Sequence, residues 1–146
     1  MLAVAALSGA PAAAPAPAPA LTAAVEQCVP SAEQAERSAT FTAQMSAVEG
    51  AQRMAIQFEV QERSPAATAW STVVDPGLSN WRQSEPGVKI FKYVKQVTNL
   101  AAPADFRAVV RYRWFDGKGH VFKHAMRHTP VCIEPVDIAP VTARMP

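Results

Sequence analysis

Asp105-Phe106-Arg107-Ala108-Val109-Val110-Arg111-Tyr112-Arg113-Trp114-Phe115-Asp116 puts Phe106, Ala108, Val110, Tyr112 and Trp114 in one alternating set and Arg107, Val109, Arg111 and Arg113 in the other. Successive side chains of a strand point to opposite sides of its sheet, so a two-residue period of this length is a β-strand with one buried and one wetted face. Such a strand belongs in the middle of an antiparallel sheet. Asp116-Gly117-Lys118-Gly119 then supplies a compact hairpin turn, and the run from His120 to Cys132 returns beside it.

Working toward the N-terminus, the same period recurs. Phe41, Ala43 and Met45 alternate with Thr40, Thr42 and Gln44, and Met54, Ile56, Phe58 and Val60 alternate with Ala55, Gln57, Glu59 and Gln61. The short link between these runs contains Gly50, which suits a hairpin turn, so the two are expected to pair antiparallel. A break at Ser64 to Ala67 precedes a short strand in AWSTVV, and turn signals follow at Pro76-Gly77 and at Glu85-Pro86-Gly87. The run Val88 to Leu100 is rich in β-branched and aromatic residues but alternates imperfectly, as at a bulge or sheet edge. With hardly any helical period, the fold class is all-β, an immunoglobulin-like antiparallel sandwich of about seven strands.

Every aromatic residue lies between Phe41 and Phe122, which marks the folded domain as 39–132. Residues 1–20 combine a short apolar run with Ala-Pro alternation, the pattern of a signal peptide and its exit linker. No Lys or Arg precedes that run, so the true start of the signal is left open. The run is far shorter than the ~20 residues that span a bilayer, so no transmembrane segment is expected. Residues 21–38 carry mixed charge and Pro30 and read as an extended lead-in, and 133–146 as a linker or tail. Cys28 and Cys132 are the only cysteines, one at each end of the domain. In an exported chain they read as one disulfide, the alternative being two free buried thiols.

The stretch Val97 to Val110 resembles the E-to-F corner of fibronectin type III domains, in which a leucine and a proline precede an aromatic and an alternating strand. Leu100, Pro103 and Phe106 occupy those places here. Pro103 stands one position late, and Phe106 lacks the hydroxyl that closes the corner in that family. The run from Cys28 to Cys132, with its RSATF opening and RYRWFD-GKG hairpin, is similar to uncharacterised immunoglobulin-like modules of secreted actinobacterial proteins. Some of those precede a CARDB-type adhesion-related domain. The resemblance implies a sandwich and a surface setting, and no reaction.

Charge is unevenly spread. Leu21 to Trp81 holds three basic and seven acidic residues, whereas Arg82 to His128 holds ten basic and three acidic. Arg107, Arg111, Arg113, Lys123 and Arg127 are candidates for one positive sheet face able to attract acidic polymers, against the simpler reading of an ordinary charged solvent face. Trp81, between two turn signals, is the tryptophan most open to a binding role, while Trp70 and Trp114 are expected in the core. A formal charge of +2 on an exported chain gives no reason to expect nucleic acid.

His120, His124 and His128 recur every fourth residue, a metal spacing on a helix. On a strand such neighbours stand about 13 Å apart, too far for one zinc ion. No metal or cofactor is therefore expected. Nucleophile elbows and paired carboxylates with defined roles are also lacking, so no catalytic residue is assigned. The function expected is a non-enzymatic, secreted interaction module, structural or adhesion-related, whose partner is a protein or acidic polysaccharide at the cell surface. The alternative is a secreted binding protein for an acidic polymer or small ligand. A small exported enzyme or inhibitor would require a side-chain cluster that the sequence does not display.

Overall fold

The computed structural model describes Gly9 and residues 21–136. The expected leader, Gly9 apart, and the tail from 137 lie outside the described residues. Among the described residues nine strands are formed: β1 (Leu21–Val29), β2 (Ser38–Ser46), β3 (Arg53–Arg63), β4 (Ser71–Thr72), β5 (Arg82–Gln83), β6 (Ile90–Thr98), β7 (Ala104–Phe115), β8 (Val121–His128) and β9 (Cys132–Glu134). A smaller sheet runs β1-β2-β6 and a larger one β4-β3-β7-β8, with β5 also on β3 and β9 also on β7. All pairings are antiparallel, which gives the all-β sandwich that the alternation predicts. None of the described elements is a helix long and apolar enough to cross a membrane.

The core is the sum of the alternating sets. Phe41, Ala43 and Met45 from β2, Met54, Ile56, Phe58 and Val60 from β3, and Phe106, Ala108, Val110, Tyr112 and Trp114 from β7 are each at most 2% exposed. β2 and β3, expected as a hairpin, lie instead in different sheets. Either arrangement satisfies the backbone, so burial decides between them. The chain crosses over at residues 47–52, where Gly50 takes a φ of 87°, and the two apolar rows face each other across the core.

The stretch 21–38, read as a lead-in, contains β1. It pairs with β2 from Leu21 opposite Met45 to Val29 opposite Ser38, with a register shift between Val25 and Gln27. Leu21, Ala23 and Val25 are partly buried against the core. Alanine contributes so little apolar area that the amphipathic signal of this strand is weak in sequence.

Two buried polar tips on β7 reach across the sandwich. The Trp114 indole Nε1 donates to the Ser46 carbonyl at 2.9 Å, and the Tyr112 hydroxyl donates to the Thr22 carbonyl. Burial pushes the Tyr112 hydroxyl pKa up to about 12, against a smaller lowering by Arg127, so this donor stays protonated through the physiological range.

β8 and β9 follow one path along β7, interrupted at Pro130, which has no N–H to give. Thr129 bridges the gap. Its N–H donates to the Ala108 carbonyl and its Oγ1 accepts from the Ala108 N–H, both at 2.9 Å, while the hydroxyl donates to Pro130 O at 2.9 Å. Thr129→Val keeps the shape but orphans a buried donor, and is expected to cost about 1–3 kcal/mol in urea unfolding. An unchanged midpoint would mean that water replaces the hydroxyl.

Cys28 on β1 and Cys132 on β9 form a disulfide with a Cα–Cα distance of 5.5 Å, tying the edge of the smaller sheet to the larger. Glu134, two residues on, is buried, and its Oε2 has no hydrogen-bond partner among the described residues. Burial pushes its carboxyl pKa up, partly opposed by the Arg37 guanidinium. The folded state therefore holds this proton more tightly than the unfolded chain. The contribution of this group to stability is greatest below the ordinary carboxylate range and is lost as pH rises through the higher folded value. Glu134→Gln is expected to flatten that fall in a series of unfolding curves at graded pH, and to stabilise at neutral pH by on the order of 1 kcal/mol. A pH profile unchanged by the substitution would assign the slope elsewhere.

Candidate functional site

The register of β3 with β7 pairs Gln57 with Arg111, Gln61 with Arg107, Ala55 with Arg113 and Arg63 with Asp105, all on the outer face of the larger sheet. Three of the four arginines are tied to acceptors there. Arg63 pairs with Asp105 at 3.0 Å, Arg107 Nε donates to Gln61 Oε1 at 2.8 Å, and Arg111 contacts Glu59 at 3.3 Å. Thr72 Oγ1 donates to the other oxygen of Glu59, Oε1, at 3.1 Å, fixing the carboxylate that holds Arg111.

Two tryptophans lie over this face. The guanidinium carbons of Arg63 and Arg107 stand 4.5 and 4.3 Å from the Trp70 ring centroid, and that of Arg113 stands 3.9 Å from Trp81. Trp70, expected in the core, is thus an outer-face residue. The short β4 contributes only Ser71 and Thr72, too little alternation to assign a face to its neighbour. Trp81 sits just before β5, which pairs with β3 at Ala55 and Ile56.

On the far side of Arg113 the β8 side chains complete a trough of about 640 Å³, open toward solvent, lined by Trp81, Arg111, Arg113, Val121, His124 and Met126. Val121 and Met126 are 43% and 49% exposed and put apolar area on the outer face of this edge strand. His124 is the direct register partner of Arg113 and Met126 of Arg111. Val121 and Met126 carry no sequence signal of their own, and His124 stands out only through its spacing to His120 and His128. Their shared place at the trough becomes visible only once the hairpin register is known.

Lys123 and Arg127 do not join Arg107, Arg111 and Arg113. The pairing of Phe115 with Val121, continued without interruption, would put Lys123 opposite Arg113 and Arg127 opposite Val109, on the outer face. A register shift between Trp114 and Phe115 instead pairs Lys123 with Trp114 and Arg127 with Val110. One inserted residue flips every side chain that follows to the other face. The Lys123 ammonium accordingly lies 5.2 Å from the Trp114 ring, capping the rim of the core. The single basic face expected from the sequence is divided between the two sides of the sheet.

Among the histidines, His124 and His128 lie on β8 facing Arg113 and Val109, while His120 belongs to the turn. The backbone N–H groups of His120 and Lys118 donate to Asp116 Oδ1, both at 2.9 Å, and hold its carboxyl below the usual range. Cys28, Cys132 and Glu134 bring ligating atoms together, but the two sulfurs are bonded to each other and offer no thiolate. No family model matches the chain, and no curated protein matches it.

Proposed function

We propose that this chain is a non-enzymatic, exported, immunoglobulin-like module, adhesion-related or structural, that engages a protein or acidic polysaccharide at the cell surface through the outer face of its larger sheet. The observation that carries this reading is the trough between Trp81 and β8. There, apolar groups are left exposed beside cations on an otherwise cross-linked face. The disulfide suits an oxidising compartment, and the leader pattern and the resemblance to secreted modules point the same way. The alternative, a secreted binding protein for an acidic polymer or small ligand, draws on the same trough and differs in whether binding or scaffolding is the task.

The test uses the oxidised protein, labelled, on isolated cell envelope of the producing organism. Trp81→Ser with Arg113→Gln is expected to abolish retention, whereas Thr42→Lys, on the outer face of the smaller sheet, leaves it intact. Retention that ignores the first change, or follows the second, overturns the reading.

A further inference from the structure

Arg113 and His124 face each other directly in the β7–β8 register, so their Cβ atoms stand about 5 Å apart. The ion pairs among the described residues join Arg63 to Asp105, Arg111 to Glu59 and His120 to Asp116, and none involves Arg113 or His124. Among the described residues Arg113 is met only on its flat side, by the Trp81 ring, and its N–H fork is open to a planar anion. An anion between Arg113 and His124 would meet the guanidinium on one side and an imidazole ring able to donate an N–H on the other.

The remaining walls narrow the class of anion. Trp81, Val121 and Met126 present apolar area that an inorganic ion cannot use but the C–H face of a sugar ring can. The trough is open toward solvent, so a bound sugar need not be the end of its chain. We propose that the trough is a subsite for a carboxylate-bearing sugar within an acidic polysaccharide of the uronic-acid type. Its carboxylate is held by Arg113 and His124, and its ring lies between Trp81 and Met126. This rests on the reading of the outer face as the binding surface, and it names what that surface takes.

The experiment is calorimetric titration of the oxidised protein with a short oligogalacturonate, its methyl-esterified uncharged form, and free galacturonic acid. The charged oligomer is expected to bind, and the ester roughly 10- to 100-fold more weakly, the range set by losing one charge-assisted contact. Arg113→Gln and Met126→Glu should each weaken binding by at least about 10-fold while near-ultraviolet circular dichroism confirms the fold. Lys92→Gln, an equal change of charge on the smaller sheet, should leave binding unchanged. Equal losses from Lys92→Gln and Arg113→Gln would reduce the effect to diffuse attraction and overturn the subsite. Free galacturonic acid binding as tightly as the oligomer would make the ligand a small acid rather than a polymer. No oligogalacturonate binding, with envelope retention still sensitive to Trp81 and Arg113, would remove the uronic-acid assignment while sparing the binding face.

Discussion

Changing Cys28 and Cys132 together to alanine is expected to lower the unfolding free energy by roughly 4 to 5 kcal/mol. The two residues are separated by 104 positions, so the bridge closes nearly the whole described domain into one loop and removes a large share of the unfolded chain's freedom. A domain of this kind has about 5–15 kcal/mol in total, so the loss leaves it marginal. The folded state is affected less evenly. β1 is an edge strand held by β2 along one side and clamped by the disulfide to β9 near its end. Without the bridge, β1 amides should exchange well before those of β3 and β7. Urea unfolding of the oxidised and double-alanine proteins, with exchange measured on both, checks the two statements. A loss below about 1 kcal/mol would show that native-state strain offsets the loop entropy, and uniform exchange would show that β1 does not depend on the clamp.

β7 was legible from sequence because its period is unbroken, and every residue read as inward from Phe106 to Trp114 is buried. The alternating sets of β2 and β3 are equally faithful to their faces. Which strand pairs with which is a different kind of information. Gly50 allows a turn but does not say whether the chain stays in its sheet or crosses to the other, and only the complementary burial of the two rows settles that. β1 was hidden by its alanines, whose small burial leaves a faint pattern although the ladder to β2 is long.

The candidate site shows how little change is needed to mislead a face assignment. Arg107, Arg111 and Arg113 precede the register shift, and their shared face follows from period two alone. Lys123 and Arg127 follow it, and one extra residue in the β7–β8 pairing carries them to the opposite side while bringing His124 and Met126 to the trough. The position of Trp81 beside Arg113 depends on β5, two residues long, which carries no periodic signal at all. Long strands are legible where bulky apolar residues alternate without a break. Short ones are placed by the sheet they join.

Trp114→Ala is expected to destabilise the domain by about 3–5 kcal/mol, the usual cost of deleting a large aromatic from a packed core. The indole is 1% exposed and its Nε1 reaches the last residue of β2, so two contributions are mixed in that number. Trp114→Phe separates them. It retains an aromatic ring in the core but leaves the Ser46 carbonyl without its donor, at a cost of about 1–2 kcal/mol for the bond, with a smaller void added. If packing dominates, phenylalanine should recover more than half of the alanine loss in denaturant unfolding followed by far-ultraviolet circular dichroism. The residual loss should also be local. Amides of 47–52, where the chain leaves β2 and crosses to the larger sheet, would exchange faster in the phenylalanine variant while those of β6 stay protected. Equal destabilisation by alanine and phenylalanine would mean that the hydrogen bond to Ser46, rather than the bulk of the ring, holds the two sheets in register at this end.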